Sequence, residues 1–454
     1  MPVGLSARLR LREAPRGAPC TAGRGFVGCR GPVARPKRRL RAFLLLLLGV
    51  AAVALAVLAW RADTGALRRR LVQDIRALAA AADVRPVHSP PVLAGRFGQR
   101  AAEAWTALAA EEALSTDVEF CRAVREGETP VAQAPPSCLR ELSAGTTSLL
   151  ALLLATHAEA AGPPPGLGAL DVPGTRTFVT AGYAARMAAL RLQLQLAQGQ
   201  PEAALATCLD LLALGRDTSF GTALEGRLAA LTVSEVAFAP CARALDAAPL
   251  QAKRRAALGL ASIAAGTPTL ADVLSEWSTR VRAQRFAPYL SKEVLATLPE
   301  GVQAWARAQD VPRRLSPREA VAVGSAWHSL QSRLDAVVAA AGLPGDKAAA
   351  RLSALSAQAE PAFAALGRVD FPELGWVAQS DARVRAELLL LRRAVEVDTL
   401  RAETGAWPLP EVLSAELRST AAQPFSIAAK SGEAVLTDNA SPRGGLELLL
   451  HADR

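Results

Sequence analysis

The sequence predicts a mainly α-helical protein with an N-terminal transmembrane helix, a multi-helix body and a small C-terminal β-hairpin. Three observations support this fold class. Residues 42–60 form an uncharged apolar run, apolar residues of the body recur at helical spacing, and short apolar runs between turn residues close the chain. The predicted regions are a basic disordered cytoplasmic tail (1–41), a transmembrane helix (42–60), a first helical region (61–161), a Pro/Gly linker (162–174), a helical body (175–381), and a long helix with a β-hairpin (382–454).

The positive charge of the chain is confined to its N-terminal end. Residues 1–41 contain eleven basic side chains and one acidic side chain, so this segment has the same net charge, +10, as the whole chain of 454 residues. The rest of the chain is therefore neutral. A nucleic-acid-binding body needs cations on the surface that meets the phosphates, and base stacking needs aromatic side chains, which make up only 4% of the sequence. We expect no nucleic-acid partner.

The run from Ala42 to Trp60 has the length and composition of a membrane span. As a helix its nineteen residues extend about 28 Å, close to the roughly 30 Å hydrocarbon core of a bilayer. Seven Leu, three Val and Phe43 give an insertion free energy of about −3 to −7 kcal/mol. Basic residues crowd the N-terminal side of the run, which predicts that this side stays in the cytoplasm. The prediction is a single-pass protein of the bacterial inner membrane, with the lipid bilayer as a partner and a periplasmic body.

Two alternatives at the N-terminus stay open. Ala54, Leu55 and Ala56 resemble a signal-peptide cleavage site, although the apolar run is longer than the hydrophobic region of such a peptide and the cut would fall inside it. The tail is either a basic segment that contacts anionic lipid head groups or, if Val33 is the initiator, untranslated over residues 1–32.

Four cysteines fall in the predicted periplasmic body: Cys121, Cys138, Cys208 and Cys241. An even number of cysteines in an oxidising compartment indicates disulfides. Three pairings are possible, and sequence proximity favours Cys121 with Cys138 and Cys208 with Cys241, each worth about 3 to 4 kcal/mol in the chain-entropy model. The alternative for Cys208, which lies in an apolar run, is a buried free thiol.

Apolar periodicity and turn residues predict the elements of the body. The strongest start signal is a capping box from Ser316 to Glu319 with Pro317 at the first helical position, and Gly342 is predicted to end that helix. The predicted helices are 66–82, 99–114, 146–159, 183–197, one beginning at Pro201, 221–245, 250–264, 270–285, 317–341 and 382–404, and the predicted extended or loop segments are 84–92 and 130–136.

One part of the body resembles a single tetratricopeptide-like hairpin. The helix 183–197 is followed by a turn at Gly199 and a second helix that begins at Pro201, with Ala204 and Leu205 expected to pack against the first. No return at a 34-residue period follows, so an array of such repeats is not predicted.

The C-terminal region changes from helix to strand. Gly405 is predicted to end the helix 382–404, and the pair Trp407 and Pro408 follows. The elements predicted after this pair are a short helix at 411–417, strands at 425–429 and 434–437 joined by a turn at 431–432, and a third strand at 446–451.

The residues RAETGAWPLPEVL and QPFSIAAKSGEAVLTDN resemble the closing segment of uncharacterised membrane-anchored helical proteins of bacteria and, more distantly, of type II secretion pseudopilins. The resemblance implies that Gly405 ends a helix, that Trp407 and Pro408 turn the chain, and that Phe425 begins strands that pack on that helix. A pseudopilin also carries a prepilin cleavage site, which this sequence lacks, so pilin assembly is not expected.

No residue pattern predicts a catalytic centre, a metal site or a cofactor. The one G-x-G-x-x-G, formed by Gly23, Gly25 and Gly28, lies in the tail without a strand before it or a helix after it. A Ser-His-acid set stays open, because spatial neighbours are invisible in a sequence. The histidines, none of which has a His or Cys at helical metal-ligand spacing, are His88, His157, His328 and His451.

Two acidic pairs could face a cleft, Asp210 with Asp217 and Glu396 with Asp398. We interpret Arg392 and Glu396, four residues apart on one helix, as a solvated ion pair. The tryptophans expected to fill the core of an Ala-rich helical body are Trp277, Trp305, Trp327 and Trp376.

These observations predict a non-enzymatic interaction or scaffold component of the cell envelope, with an envelope protein of unknown identity as partner. The alternatives are a periplasmic enzyme with dispersed catalytic residues and a component associated with secretion or a pilus. A pocket with convergent polar groups and shifted pKa values would favour the enzyme. Strands packed on the helix 382–404 would favour the secretion component.

Overall fold

A computed structural model describes residues 36–80, 93–112, 121–160, 168–171, 177–309, 316–358, 365–366, 371–418, 424–430, 432–439 and 445–451. The chain divides into two compact units, residues 1–63 and residues 64–454. The predicted regions 175–381 and 382–454 both lie within the second unit, as does almost all of the predicted region 61–161.

The described residues are mainly helical. The helices, in chain order, are α1 (Pro36–Ala79), α2 (Phe97–Glu112), α3 (Arg122–Arg125), α4 (Pro136–Ala155), α5 (Thr177–Ala197), α6 (Pro201–Ser219), α7 (Ala223–Ala247), α8 (Leu250–Gly266), α9 (Leu270–Phe286), α10 (Lys292–Leu295), α11 (Glu300–Ala308), α12 (Pro317–Ala341), α13 (Gly345–Ser356) and α14 (Leu374–Thr404). The strands are β1 (Leu93–Arg96), β2 (Ala158–Ala160), β3 (Phe425–Lys430), β4 (Glu433–Asp438) and β5 (Leu446–His451).

Two clusters of buried apolar side chains form the interior of residues 64–454. The first joins α2, α4 to α8 and the C-terminal strands, and the second joins the end of α1 to α9 and α11 to α13. Two long helices contribute to both clusters: α7 places Leu231 in the second and Val233 in the first, and α14 places Val377 in the second and Leu390 in the first. These two helices therefore hold the two halves of the body together.

Local sequence signals fix several boundaries. The capping box of α12 is confirmed, because the Ser316 hydroxyl accepts from the Glu319 N–H and the Glu319 carboxylate accepts from the Ser316 N–H. The hairpin of α5 and α6 is also present, with Gly199 at φ +69° in its turn. Gly405 follows α14 at φ +75°, a left-handed conformation that glycine adopts without a Cβ clash.

The C-terminal sheet is antiparallel with the order β3, β4, β5. Phe425 pairs with Asp438, and Asp438 in turn pairs with Leu446. Alternate residues of β5, beginning with Leu446, are buried, and they share the first cluster with residues of α14 such as Val397. The predicted hairpin and its third strand are both present, and one face of the sheet joins the core.

Several predicted elements differ from the structure. The short helix predicted at 411–417 is wrong: only Pro410–Val412 forms a 3-10 turn, because the Ser414 N–H donates to Glu396 at 2.6 Å and the Leu417 carbonyl accepts from Arg393 at 2.9 Å. The long helix begins at Leu374, eight residues before the predicted start at 382. The helices α3, α10, α11 and α13 were not predicted.

The predicted helix 146–159 is also displaced. It begins at Pro136 and ends at Ala155, where the Thr156 hydroxyl donates to the Leu153 carbonyl. Residues 158–160 form β2, which pairs in parallel with β1, a pairing that the sequence did not indicate. The predicted extended segment 84–92 lies outside the described residues.

Apolar helices occur in two different settings. Among the described residues, α7 is long and apolar enough to cross a membrane, as α8 and α9 would be if counted as one bent span. Half of the apolar window of α7 is buried inside the body, where Ala229 and Ala237 belong to the core. The stretch Phe43–Val57 of α1 is shorter, and each of its fifteen residues is exposed.

Candidate functional site

An open cleft of about 1140 Å³ lies in the surface of the body. Its walls come from the end of α1, the end of α8, helix α9 and the end of α12. The charged side chains that line it are Arg70, Asp74, Asp272, Glu276, Arg282 and Asp335. The cleft thus brings together residues from three parts of the sequence: the end of α1, the consecutive helices α8 and α9, and the end of α12.

Arg282 connects three walls of this cleft. It is buried, with 7% of its surface exposed, and its guanidinium donates to Gln331 Oε1 at 3.2 Å and to Thr279 Oγ1 at 3.3 Å. Asp74 Oδ2 of α1 lies 3.6 Å from Arg282 Nη1. Burial lowers the pKa of Arg282, while Asp74 and Asp335 raise it. The role of this guanidinium is to bridge α1, α9 and α12.

Glu276 lies one helical turn after Asp272 on α9 and reaches the start of another helix. Its Oε2 accepts a hydrogen bond of 3.1 Å from the Ala223 N–H, at the first residue of α7. Burial raises the pKa of Glu276 to about 7, although the Ala223 N–H opposes the shift. The carboxylate therefore caps a helix N-terminus, where negative charge is favoured.

The backbone at that contact is strained. Ala223 has φ +55° and is the one described non-glycine residue with a positive φ, a conformation in which Cβ crowds the backbone. It lies two residues after Gly221, which has φ +70°. The hydrogen bond to Glu276 helps to hold this turn, so the turn and the cleft wall are coupled.

The end of α1 is part of the body. Leu71 and Ile75 are 2% and 0% exposed and belong to the second core cluster. Arg76 donates to Thr297 Oγ1 at 3.1 Å, and the Arg68 guanidinium lies 5.9 Å from the Phe286 ring centroid. One wall of the cleft is therefore the helical segment that directly follows the predicted membrane span.

The charged groups of the cleft are engaged in contacts that hold helices together. Arg282 and Glu276 have shifted pKa values, but both are engaged in hydrogen bonds that hold helices together. Asp272 is likewise engaged, because it forms the capping box of α9 with Thr269. Within the described part of the chain, no group of three or more His, Cys, Asp or Glu side chains could hold a metal ion. The cleft presents a wide surface of mixed charge.

The structure joins the cysteines in the pairs that sequence proximity favours. Cys121 and Cys138 have an S–S distance of 2.09 Å, and Cys208 and Cys241 have one of 2.15 Å. The second disulfide links α6 to α7 inside the first core cluster. The free-thiol alternative for Cys208 does not agree with this pairing.

The residues predicted to mark the end of the membrane span and the C-terminal turn do not line the cleft. The side chain of Ala42, at the start of the predicted span, lies outside the described part of the chain, and Trp60 at the other end is partly exposed. Gly405 ends α14, and the Arg401 guanidinium lies 4.8 Å from the Trp407 ring centroid. Pro408 lies between α14 and the 3-10 turn at Pro410–Val412.

The proposed acidic pairs do not face one another across a cleft. Asp210 Oδ1 lies 3.0 Å from His157 Nε2, and Asp217 Oδ1 lies 2.6 Å from Arg216 Nη2. Asp398 pairs with buried Lys253.

The ion pair predicted between Arg392 and Glu396 is wrong. Arg392 donates to Glu416 at 2.6 Å, and Glu396 instead accepts from Ser414. These hydrogen bonds join α14 to the segment that follows it. The spacing of residues within one helix cannot indicate such contacts. Among the tryptophans, Trp277, Trp305 and Trp327 are buried as predicted, whereas Trp376 is 44% exposed.

Sequence reasoning missed Glu276 and Arg282. Both residues line the cleft only because of contacts with other helices. Glu276 bonds to Ala223, 53 residues away in the sequence, and Arg282 bonds to Gln331, 49 residues away. The one local signal was charge on helix α9, where Asp272 and Glu276 are four residues apart. That spacing alone is typical of any solvated helix face.

The chain matches no protein-family model, and neither a curated protein nor a solved structure is significantly similar to it.

Proposed function

We propose that this chain is a membrane-anchored, non-enzymatic interaction component of the bacterial cell envelope. In this proposal residues 42–60 span the inner membrane, the basic tail stays in the cytoplasm, and the body lies in the periplasm. The observation that carries it is the exposure of Phe43–Val57: its ten large apolar side chains are each 44% to 70% exposed. Such a surface is favourable in lipid and costly in water.

The disulfides support the periplasmic side. Cys121 with Cys138 and Cys208 with Cys241 are paired in the body, and disulfides persist in oxidising compartments. The cleft supports an interaction role, because it is open and presents charged side chains of both signs. We interpret the α5 and α6 hairpin as a tetratricopeptide-like unit, a kind of hairpin that offers concave faces.

Membrane extraction tests the anchor. The double variant Leu46→Arg/Val53→Arg places two cations in the span, each costing about 2.5 to 3.5 kcal/mol, which cancels the gain from its apolar residues. We expect the natural chain to stay in the membrane pellet after an alkaline carbonate wash and the variant to be released. The control is Val321→Arg/Leu409→Arg, at body residues that are 61% and 70% exposed, and it should stay in the pellet. Release of the natural chain would contradict the proposal.

Site-specific crosslinking tests the interaction role. A photoreactive residue at Ser275, which is exposed in the cleft, should form an adduct with an envelope protein in intact cells. The same residue at Val321, exposed on α12, should not. Equal adducts at both positions, or none at Ser275, would contradict binding in the cleft.

A secretion- or pilus-associated component is a second candidate, because the C-terminal strands pack on α14. Phe425, Leu436 and Leu448 share a core cluster with Leu390 and Ala394 of that helix, the arrangement that the resemblance to pseudopilins implies. If the partner crosslinked at Ser275 is a subunit of a secretion system or pilus, this candidate replaces the first.

A further inference from the structure

A second cavity, separate in chemistry from the cleft, lies between α6, α7, α8 and α14. Its volume is about 160 Å³, and a cavity of roughly 150 Å³ lined by aliphatic and aromatic side chains holds a molecule the size of benzene. Spaces between the helices of a bundle are common places for small-molecule sites. The apolar side chains that form most of its wall are Leu212, Phe238, Ile263, Val384, Leu388 and Leu391.

The cationic groups of this cavity already have anionic partners. Arg216 pairs with Asp217 at 2.6 Å, and Arg392 pairs with Glu416 at 2.6 Å. Asp381 accepts from the Nε atoms of both Arg227 and Arg385 at 2.8 Å. An anionic ligand would have to compete with these carboxylates, and a cationic ligand would face the guanidinium groups that line the cavity, which are those of Arg216, Arg227, Arg385 and Arg392.

Glu387 is the exception among the charged groups of the lining. Its side chain is 5% exposed, and its Oε1 accepts from Arg383 Nε at 2.9 Å. Its Oε2 is buried, and no described residue donates a hydrogen bond to it. A buried acceptor without a donor is costly, so a donor supplied by a ligand would be stabilising.

We propose that this cavity binds a small neutral molecule with a benzene-sized apolar body and one hydroxyl group that donates to Glu387, a ligand of the phenol or small-alcohol class. The apolar walls exclude water from the body of the ligand, and the hydroxyl satisfies the one orphaned oxygen of the described lining. The apolar contact and the hydrogen bond to Glu387 are both independent of the membrane anchor and of the proposed partner of the cleft.

Four probes of similar shape test the proposal on the full chain in lipid nanodiscs, with empty nanodiscs to subtract partition into lipid. They are phenol, toluene, benzoate and benzylammonium, and the readout is saturable binding by ligand-observed NMR. Binding is measured at pH 8, because burial raises the pKa of Glu387 to about 7 and the carboxylate must be ionised to accept. We expect phenol to bind at least about tenfold more tightly than toluene, since a hydrogen bond to a charged group is worth that much, and more tightly than either ion. Tighter binding of an ion, or no saturable binding of phenol, would overturn the proposal.

Two variants separate the hydroxyl contact from the cavity itself. Glu387→Met keeps the length of the side chain without the oxygen, so phenol should lose its advantage while toluene still binds. Ala264→Phe, at a lining position, fills the space and should abolish the binding of both. Phenol binding that is unchanged in either variant would overturn the assignment. Retained toluene binding in Glu387→Met also shows that this variant is folded.

Discussion

At the residue scale, the body buries carboxyl groups that titrate near neutrality. Burial raises the pKa of Glu276 and of Glu387 to about 7 and that of Asp217 to about 6. The three groups lie in different places: Glu276 caps α7, Asp217 pairs with Arg216, and Glu387 lines the second cavity. What they share is that desolvation outweighs a favourable partner, so the charged form is destabilised.

The raised pKa of Glu276 makes the stability of the folded chain depend on pH. Its pKa is about 7 in the folded chain against an ordinary 4.5, so between these values the folded chain holds a proton that the unfolded chain has released. The free energy of unfolding therefore falls as pH rises from about 4.5 to 7, by at most about 3 kcal/mol for this group.

The variant Glu276→Gln should reduce this pH slope and raise stability at pH 8, because the amide oxygen still accepts from Ala223 and carries no charge to desolvate. Denaturant unfolding of the full chain in nanodiscs between pH 5 and pH 8 measures it. The matched control is Glu202→Gln, at a side chain that is 60% exposed, where the slope should not change. A slope unaltered by Glu276→Gln would show that the carboxyl does not titrate in this range.

At the element scale, the C-terminal sheet depends on one buried ion pair. Arg393 Nη1 of α14 lies 2.7 Å from Asp438 Oδ2 of β4, and their side chains are 0% and 1% exposed. The same guanidinium donates to the Leu417 carbonyl and lies 4.4 Å from the Phe425 ring centroid. One side chain thus holds the turn after α14 and two strands against the helix.

Removing one partner of this ion pair should strongly destabilise the folded chain. We expect Asp438→Ala to lower the free energy of unfolding by about 3 to 5 kcal/mol, because it leaves Arg393 charged and buried. Glu416→Ala removes the 67% exposed partner of nearby Arg392 and should cost no more than about 1 kcal/mol. Denaturant unfolding compares the two, and equal losses would contradict the structural role of Arg393.

The end of α14 gives a second prediction at this scale. Gly405 has φ +75°, and no atom lies within 4 Å of the position that a Cβ would occupy there, so Gly405→Ala should cost about 1 kcal/mol from backbone strain alone. Gly345, at the first position of α13, also has open space but no positive φ, so Gly345→Ala should be neutral or stabilising. Thermal unfolding distinguishes the two, and equal effects would contradict a role for strain at Gly405.

Local signals predicted elements well and tertiary contacts poorly. The capping box at Ser316 and the glycine at 405 act within one turn of chain, and the structure agrees with both. The helix predicted at 411–417 failed because Glu396 and Arg393 compete for that backbone from another element. Glu276 could not be identified as a cleft residue, because its raised pKa comes from burial by helices that only the fold brings together.

At the scale of the whole molecule, the end of α1 is joined to the interior of the body. The segment with Leu71 and Ile75 is packed in the second core cluster and forms a wall of the cleft with Arg70 and Asp74. In the proposed arrangement this segment follows the membrane span directly.

The central claim is that the body is exported while the apolar stretch stays in the membrane. The most direct measurement is the activity of two reporters fused after Arg454 of the full chain, alkaline phosphatase, which folds only after export, and β-galactosidase, which is active only in the cytosol. We expect high phosphatase activity and low galactosidase activity. The reverse pattern would place the body in the cytosol and contradict the claim.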